Sequence, residues 1–222
     1  MPSKPRNDAH EVVGVDWAGS RWACVLLGVG TTQVASESSF DAVIERFSYA
    51  AAIAVDIPIG LPETSPWRRA DQEARKLVHP STVFPTFPRA VYECALHGDA
   101  VALCRERGWP GISRQSYGLW KRISEVEPYA DLAHEVHPEV SFWKLNGEVR
   151  LAASKHTWNG FFERKHLLEH NGVLIEDGLP EDLPALDVLD AAAAAWTALR
   201  IAQGGHKTLP ASPEPGESTI AY

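Results

Sequence analysis

A chain of 222 residues, 45% hydrophobic and 23% charged, can close one globular domain around a core of ordinary size. Its net charge of −8 excludes a generally basic surface that would attract nucleic acid regardless of sequence, although a local basic groove stays open. Three cysteines (Cys24, Cys94, Cys104) without C-x-x-C spacing fit reduced thiols, and no apolar run approaches the roughly 20 residues of a membrane span, so the expectation is a cytoplasmic protein with no membrane partner.

Residues 1–10 are polar and lack the apolar run of a signal peptide; they read as a frayed leader. Residues 11–16 form a first strand, ending Val15-Asp16, and 17–20 a turn. Residues 21–29 read as a second strand and 32–37 as a third, joined by a hairpin around Gly28 and Gly30. Phe40, Val43, Ile44 and Phe47 recur at helical spacing and predict a helix over 40–49. Residues 51–56 repeat the grammar of the first strand and again stop on an aspartate, Asp56. A helix between strands is the usual parallel crossover. The prolines and glycine of 57–62 then impose a rigid loop.

Residues 66–130 read as a mostly helical insertion. Its parts are a helix over 67–78, a proline-punctuated loop over 80–88, a helical stretch over 90–107 with a break at Gly98, and a segment over 111–129 with Ser113 as N-cap. A fifth strand follows at 132–136, a short amphipathic piece at 140–145, and a helix at 157–170 stopped by Asn171-Gly172. The last helix, 183–203, carries five consecutive alanines, 191–195, small enough to lie close against a sheet. The tail to Tyr222, rich in Pro, Gly and Ser, is expected to be a loose strap. The organisation is therefore one domain: a core of about 11–60 and 131–204, a helical insertion at about 61–130, and the tail 205–222.

Asp16 and Asp56 each end a buried strand. If those strands are parallel neighbours, the two carboxylates sit about 5 Å apart and repel unless a cation or a shared proton lies between them. Taken singly, each has a simpler reading as a strand-end turn former. Asp187 and Asp190, three apart, share one face at the start of the last helix, where acids also suit the helix dipole. Four carboxylates converging from two strands and a helix would make an oxygen cage for Mg²⁺ or Mn²⁺, suited to activating water on a phosphodiester. Glu135 and His137 lie on one face of the fifth strand and could add a ligand or a general base, or simply make strand-end contacts; His134 faces the other side, which argues against a zinc pair. Lys155, Arg164 and Lys165 could meet substrate phosphates. Arg68, Arg69, Arg75 and Lys76 form one basic cluster and Arg114, Lys121 and Arg122 another. Their simplest reading is a solvated helix face. As a local groove, Arg69, Arg75 and Lys121 would touch substrate.

G-V-D-W-A-G-S (14–20), A-V-D-I-P-I-G-L-P (54–62), R-R-A-D-Q-E-A-R-K-L-V (68–78), S-T-V-F-P (81–85), H-P-E-V-S-F-W (137–143) and D-V-L-D-A-A-A-A-A-W-T-A (187–198) stand here in fixed order. Over roughly residues 11–210 the chain resembles a family of unknown function described as predicted nucleases with a ribonuclease H-like fold. The resemblance implies an α/β fold: a five-stranded mixed sheet of order 3-2-1-4-5, with helices on both faces. It implies metal-binding acids on the first strand, fourth strand and last helix, matching Asp16, Asp56, Asp187 and Asp190. The D-x-x-D of the last helix is similar to the pattern in Holliday-junction resolvases. Two departures stand out: Leu186 precedes Asp187 where related sequences carry two acids, and His156 follows Lys155 where many carry two lysines. The expectation is a metal-dependent nuclease or phosphodiesterase acting on nucleic acid or a nucleotide. Asp16 would bridge two ions, Asp56 would bind one, and Asp187 or Asp190 the other. Two alternatives are a non-catalytic binding module and, because actin-like kinases share the sheet, an ATP-dependent phosphotransferase.

Overall fold

The computed structural model describes residues 10–175, 179–180 and 182–222. Strand β1 (Val12–Trp17) is buried through its first five residues, the signature of a central strand covered on both faces. It pairs antiparallel with β2 (Trp22–Gly28), which pairs antiparallel with the half-exposed edge strand β3 (Thr31–Glu37). Helix α1 (Phe40–Arg46), capped by the Ser39 hydroxyl accepting from the Ala42 amide at 3.2 Å, crosses to β4 (Ala52–Val55). Strand β4 lies parallel to β1, and β5 (Ala133–Glu135) parallel to β4. The order β3-β2-β1-β4-β5 is the mixed sheet that the family resemblance implies.

Between β4 and β5 come α2 (Arg69–Leu77), a 3-10 turn at Pro80–Thr82, α3 (Arg89–Tyr92), α4 (His97–Glu106), α5 (Arg114–Gly118) and α6 (Trp120–Val126). The break expected at Gly98 falls earlier, between Tyr92 and His97, and Gly98 lies inside α4. Ser113 caps as expected, its hydroxyl accepting from Ser116 N at 3.0 Å, but the segment divides into two helices at Leu119. After β5 follow α7 (Pro138–Leu145), α8 (Trp158–His170) and α9 (Ala185–Ala202).

Side-chain alternation along the strands divides the core. Val13, Val15, Ile53 and Val55 face α1 and the insertion helices. Val12, Ala52 and Ala54 face the other way, onto α7, α8 and α9. The alanines of α9 let it press against β1: a Cβ added at Gly14 would lie 2.0 Å from Ala195 N and 2.1 Å from Ala191 O. No larger residue than glycine fits there without displacing the helix.

The tail is not the loose strap its composition suggested. β6 (Thr208–Leu209) and β7 (Ile220–Ala221) form a ribbon, and Ala221 bridges in parallel to Val136 beyond β5. Leu209, Ile220 and Tyr222 are buried with Ala70 and Ala74 of α2. A few apolar residues at the two ends of the Pro/Gly/Ser run are enough to dock it. Among the described residues, no helix is long and apolar enough to cross a membrane.

Candidate functional site

Asp16 and Asp56 continue the alternation that turns Val12 and Ala54 toward α9, so both point to the same side of the sheet. The Asp56 amide donates to Val15 O at 3.0 Å, extending the β1–β4 ladder one step. That sets Asp56 beside Asp16 at about the 4.8 Å spacing of paired strands. The approach of α9 at Gly14 brings Asp190 and, one turn earlier, Asp187 over the same strand ends. Asp16 and Asp190 are only 8% and 3% exposed.

The four acids are electrostatically one group. Burial lifts the Asp16 carboxyl well above its ordinary value; Asp56, Asp190 and Asp187 push it the same way, and Lys155 opposes them. Burial, then Asp190, pushes Asp56 up to about 7 against the pull of Lys155, with a contribution from Glu139. Burial also raises Asp187 and Asp190, Lys155 again opposing. For Lys155 itself, burial works to lower the ammonium, and Asp190, Asp56 and Asp16 more than offset it. One ammonium thus faces four carboxylates.

Lys155 is held in place from beneath. Arg164, 3% exposed, donates to Ala153 O at 3.1 Å and Gly160 O at 3.0 Å, and grips both oxygens of Glu139 at 2.7–3.0 Å. A Cβ on Gly160 would sit 2.0 Å from Ser154 O, so α8 supports the loop through glycine. Lys155 Nζ pairs with Asp190 Oδ2. The other oxygen, Asp190 Oδ1, is buried with no hydrogen-bond partner among the described residues. Nor, among those residues, is any group of three or more His, Cys, Asp or Glu side chains placed so that it could hold a metal ion. The four-carboxylate cage expected from sequence has a lysine among its members.

These residues form the floor of a cleft of about 880 Å³, walled on one side by the Lys155 loop and on the other by the insertion, including Phe84, Leu119 and Arg122. The Arg122 guanidinium lies 3.9 Å from the centroid of the Trp17 ring and pairs with Glu125.

Several candidates have other work. Glu135 is turned into a clamp: its two oxygens accept from Arg68 at 2.6 and 2.7 Å, and one also accepts from Ile59 N at 2.6 Å. Arg68 binds Asp71 as well, at 2.7 Å, so the network fixes the 57–62 loop and the start of α2. Arg164, expected to meet phosphate, is saturated by Glu139 and backbone carbonyls. Arg75 stacks on Trp67, 4.6 Å from the ring centroid, and donates to Pro80 O and Val83 O at 2.7 and 3.0 Å. Arg69 pairs with Glu217, and Lys121 is exposed on α6; with Arg75, neither lines the cleft. His137 does line it. Its Nε2 bonds Thr82 O at 3.2 Å, its Nδ1 is buried without a hydrogen-bond partner among the described residues, and burial holds the ring below its ordinary pKa against the pull of Glu139 and Asp190.

Glu139 is the cleft residue that sequence reasoning passed over, and its signal was the acid in the first turn of α7, just after His137-Pro138. Arg68 and Arg122, read as members of surface clusters, are 8% and 5% exposed. The clue for Arg68 was R-x-x-D at a helix start, where Asp71 can bond back to the capping residue's amide.

The family model described as "Protein of unknown function (DUF429)" matches residues 14–215. The chain belongs to the DUF429 family. No curated protein matches it. Among solved structures it is similar to Thermus thermophilus RuvC in complex with a Holliday junction substrate, at 15% identity over 88% of this chain and 97% of that one, with a TM-score of 0.37. A second Thermus thermophilus RuvC structure matches at 14% identity over the same shares, with a TM-score of 0.34. Likeness this remote adds nothing to the strand order already described. In this DUF429 chain the stretch 14–20 supplies Asp16, 54–62 supplies Asp56, 137–143 supplies His137 and Glu139, and 187–198 supplies Asp187 and Asp190.

Proposed function

We propose that this chain is a divalent-metal-dependent phosphodiesterase acting on nucleic acid or a nucleotide, with Asp16, Asp56, Asp187 and Asp190 as the residues that hold Mg²⁺ or Mn²⁺. The supporting observation is a group of four carboxylates lining one cleft, Asp16 and Asp190 buried and Asp56 and Asp187 half-buried, with Asp16 raised by the charges of the other three and opposed by one lysine. The donor set fits such an ion in its chemistry: it is all carboxylate oxygen, the choice of hard cations, and Asp190 Oδ1 is a buried acceptor without a donor among the described residues. Lys155 already uses the other oxygen, so cation binding at Oδ1 leaves the ion pair standing.

A cation bound there would supply Lewis acidity toward a phosphodiester and lower the pKa of water. The chain's own residues do the rest. Asp16 and Asp56, fixed by the strand ladder, set the positions of the donors. Lys155 places a positive charge where negative charge grows on a phosphate during displacement. The insertion wall would choose what enters. Asp16→Asn tests this directly: Mn²⁺-dependent cleavage of single- and double-stranded oligonucleotides and of a chromogenic phosphodiester should vanish while the circular dichroism spectrum stays the same. An unchanged rate removes the proposal.

The Lys155–Asp190 ion pair favours a second reading, a binding module in which lysine has taken over charge neutralisation. That reading expects no change in melting temperature when divalent cations are added.

A further inference from the structure

Trp158 is 77% exposed, whereas the other seven tryptophans are buried or half-buried. It follows the Thr157 cap of α8, and its ring leans on Phe162 one turn on, with centroids 4.5 Å apart and planes at 48°. Phe162 continues the row to His166 at 6.0 Å. A pair at this spacing steadies the helix only slightly and leaves most of the indole in water. The row begins at the cleft. Ser154, Lys155 and His156 line it, and the Thr157 amide donates to Ser154 O at 3.0 Å, a turn that carries the chain from the rim to Trp158. Trp158 thus stands at most about 7 Å along the chain from His156. On the opposite wall Phe84 lines the cleft and is itself 44% exposed.

The walls differ from the floor in charge. The segments that supply them, 74–92, 107–124 and 149–162, hold nine of the 21 Lys and Arg residues and none of the 29 Asp and Glu. The acids that line the cleft all come from other segments. In a chain of net charge −8, an acid-free rim with exposed aromatics on both sides suits an anionic strand with bare bases. Its phosphates meet cations, and any base can stack on an aromatic ring. A cleft of about 880 Å³ is the size of a small-ligand pocket. It admits a short stretch of one strand and has no room for paired bases.

We infer that the cleft takes single-stranded nucleic acid, and that an unpaired base close to the phosphate at Lys155 stacks on Trp158. The inference rests on the metal-dependent reading above and names its substrate class. In a duplex the face of each base is covered by its neighbours, so an indole outside the cleft has nothing to stack on. A single strand can splay its bases onto aromatic side chains. Stacking tolerates every base, so the cleft reads strandedness and not sequence.

The test is fluorescence anisotropy of a short labelled oligonucleotide, single-stranded or annealed to its complement, titrated with the full chain in Ca²⁺, with strand integrity checked on a gel. The single strand should bind on the order of tenfold more tightly than the duplex. Trp158→Ala should weaken single-strand binding by on the order of tenfold and leave duplex binding unchanged, and Trp158→Phe should restore most of the loss. If Trp158→Ala fails to fold, photocrosslinking of a bromouracil-containing strand to the wild type answers instead, with the adduct expected on Trp158. Equal or tighter duplex binding, single-strand binding unchanged in folded Trp158→Ala, or an adduct only elsewhere overturns the inference. So does a Trp158→Ala variant that splits a dimer in sedimentation while binding the strand as before, since the aromatic row is then a contact between copies. Mn²⁺-dependent hydrolysis of a chromogenic phosphodiester by the wild type is measured alongside. Hydrolysis without strand preference removes this inference alone; no hydrolysis and no strand binding remove both readings.

Discussion

Two sets of acids, each with buried members, meet in one cleft and are treated in opposite ways. Asp71 and Glu135 close on Arg68, and Glu139 closes on Arg164, each through paired hydrogen bonds to a buried guanidinium. Asp16, Asp56, Asp187 and Asp190 share Lys155, whose side chain is 31% exposed. Burying an unpaired carboxylate costs several kcal/mol, and removing one partner of a buried pair leaves that cost standing. The chain offsets it with arginine at Asp71, Glu135 and Glu139 and leaves it less fully offset at Asp16, Asp56, Asp187 and Asp190. Acids neutralised by the fold hold the fold; under the proposed function, the acids left without an arginine are the ones that hold the cation.

The contrast is broken most decisively by exchanging the roles. Asp16→Asn should lower metal-dependent cleavage by ~10³-fold or more, equivalent to about 4 kcal/mol of transition-state stabilisation, and should raise the melting temperature in metal-free buffer. Arg68→Met leaves Asp71 and Glu135 buried without their cation, and urea unfolding should show a loss of ~3–5 kcal/mol. A loss below ~1 kcal/mol would erase the distinction between the two sets. Gly14→Ala drives a methyl into the α9 backbone and should cost ~1–3 kcal/mol. It should also weaken Mn²⁺ binding, since α9 carries Asp190. Arg164→Lys keeps the charge but not the fork on Glu139, and a loss of ~1–2 kcal/mol is expected; altered KM would report the freed Lys155 loop.

The smallest effect is on pH. Asp56 rises from 3.8 toward about 7 on folding. Its neutral form therefore favours the folded state: the contribution is complete below pH 3.8 and fades as pH climbs through 7. Metal-free protein should melt ~2–6 °C lower at pH 8 than at pH 5.5. Asp56→Asn should flatten that slope, as should Mn²⁺.

The sheet was legible because its signals are local. Val-rich runs that stop on Asp16 and Asp56, a helical repeat between them, and turn residues at each end specify strands and a crossover without knowledge of the rest. The convergence of Asp187 and Asp190 on those strands was legible from the alanine run, and the reason it works, glycine at 14 facing Ala191 and Ala195, emerges only in three dimensions. What stayed hidden were the partners. A basic run reads as solvated surface, and nothing along the chain says that Arg68 must reach Glu135, 67 positions away, or that Arg164 is spent on Glu139. The tail was misread for a related reason: its composition is that of a linker, and the four apolar residues that dock it are a minority.

The most direct measurement is a thermal shift series at pH 8 with Mn²⁺ titrated into wild type and Asp16→Asn. The wild type should gain several degrees with a saturable dependence on cation concentration, as expected when a ligand binds the folded state alone, and the variant should start higher and gain almost nothing. Equal gains in both proteins, or none in either, would contradict the idea that the unneutralised acids exist to hold a divalent cation.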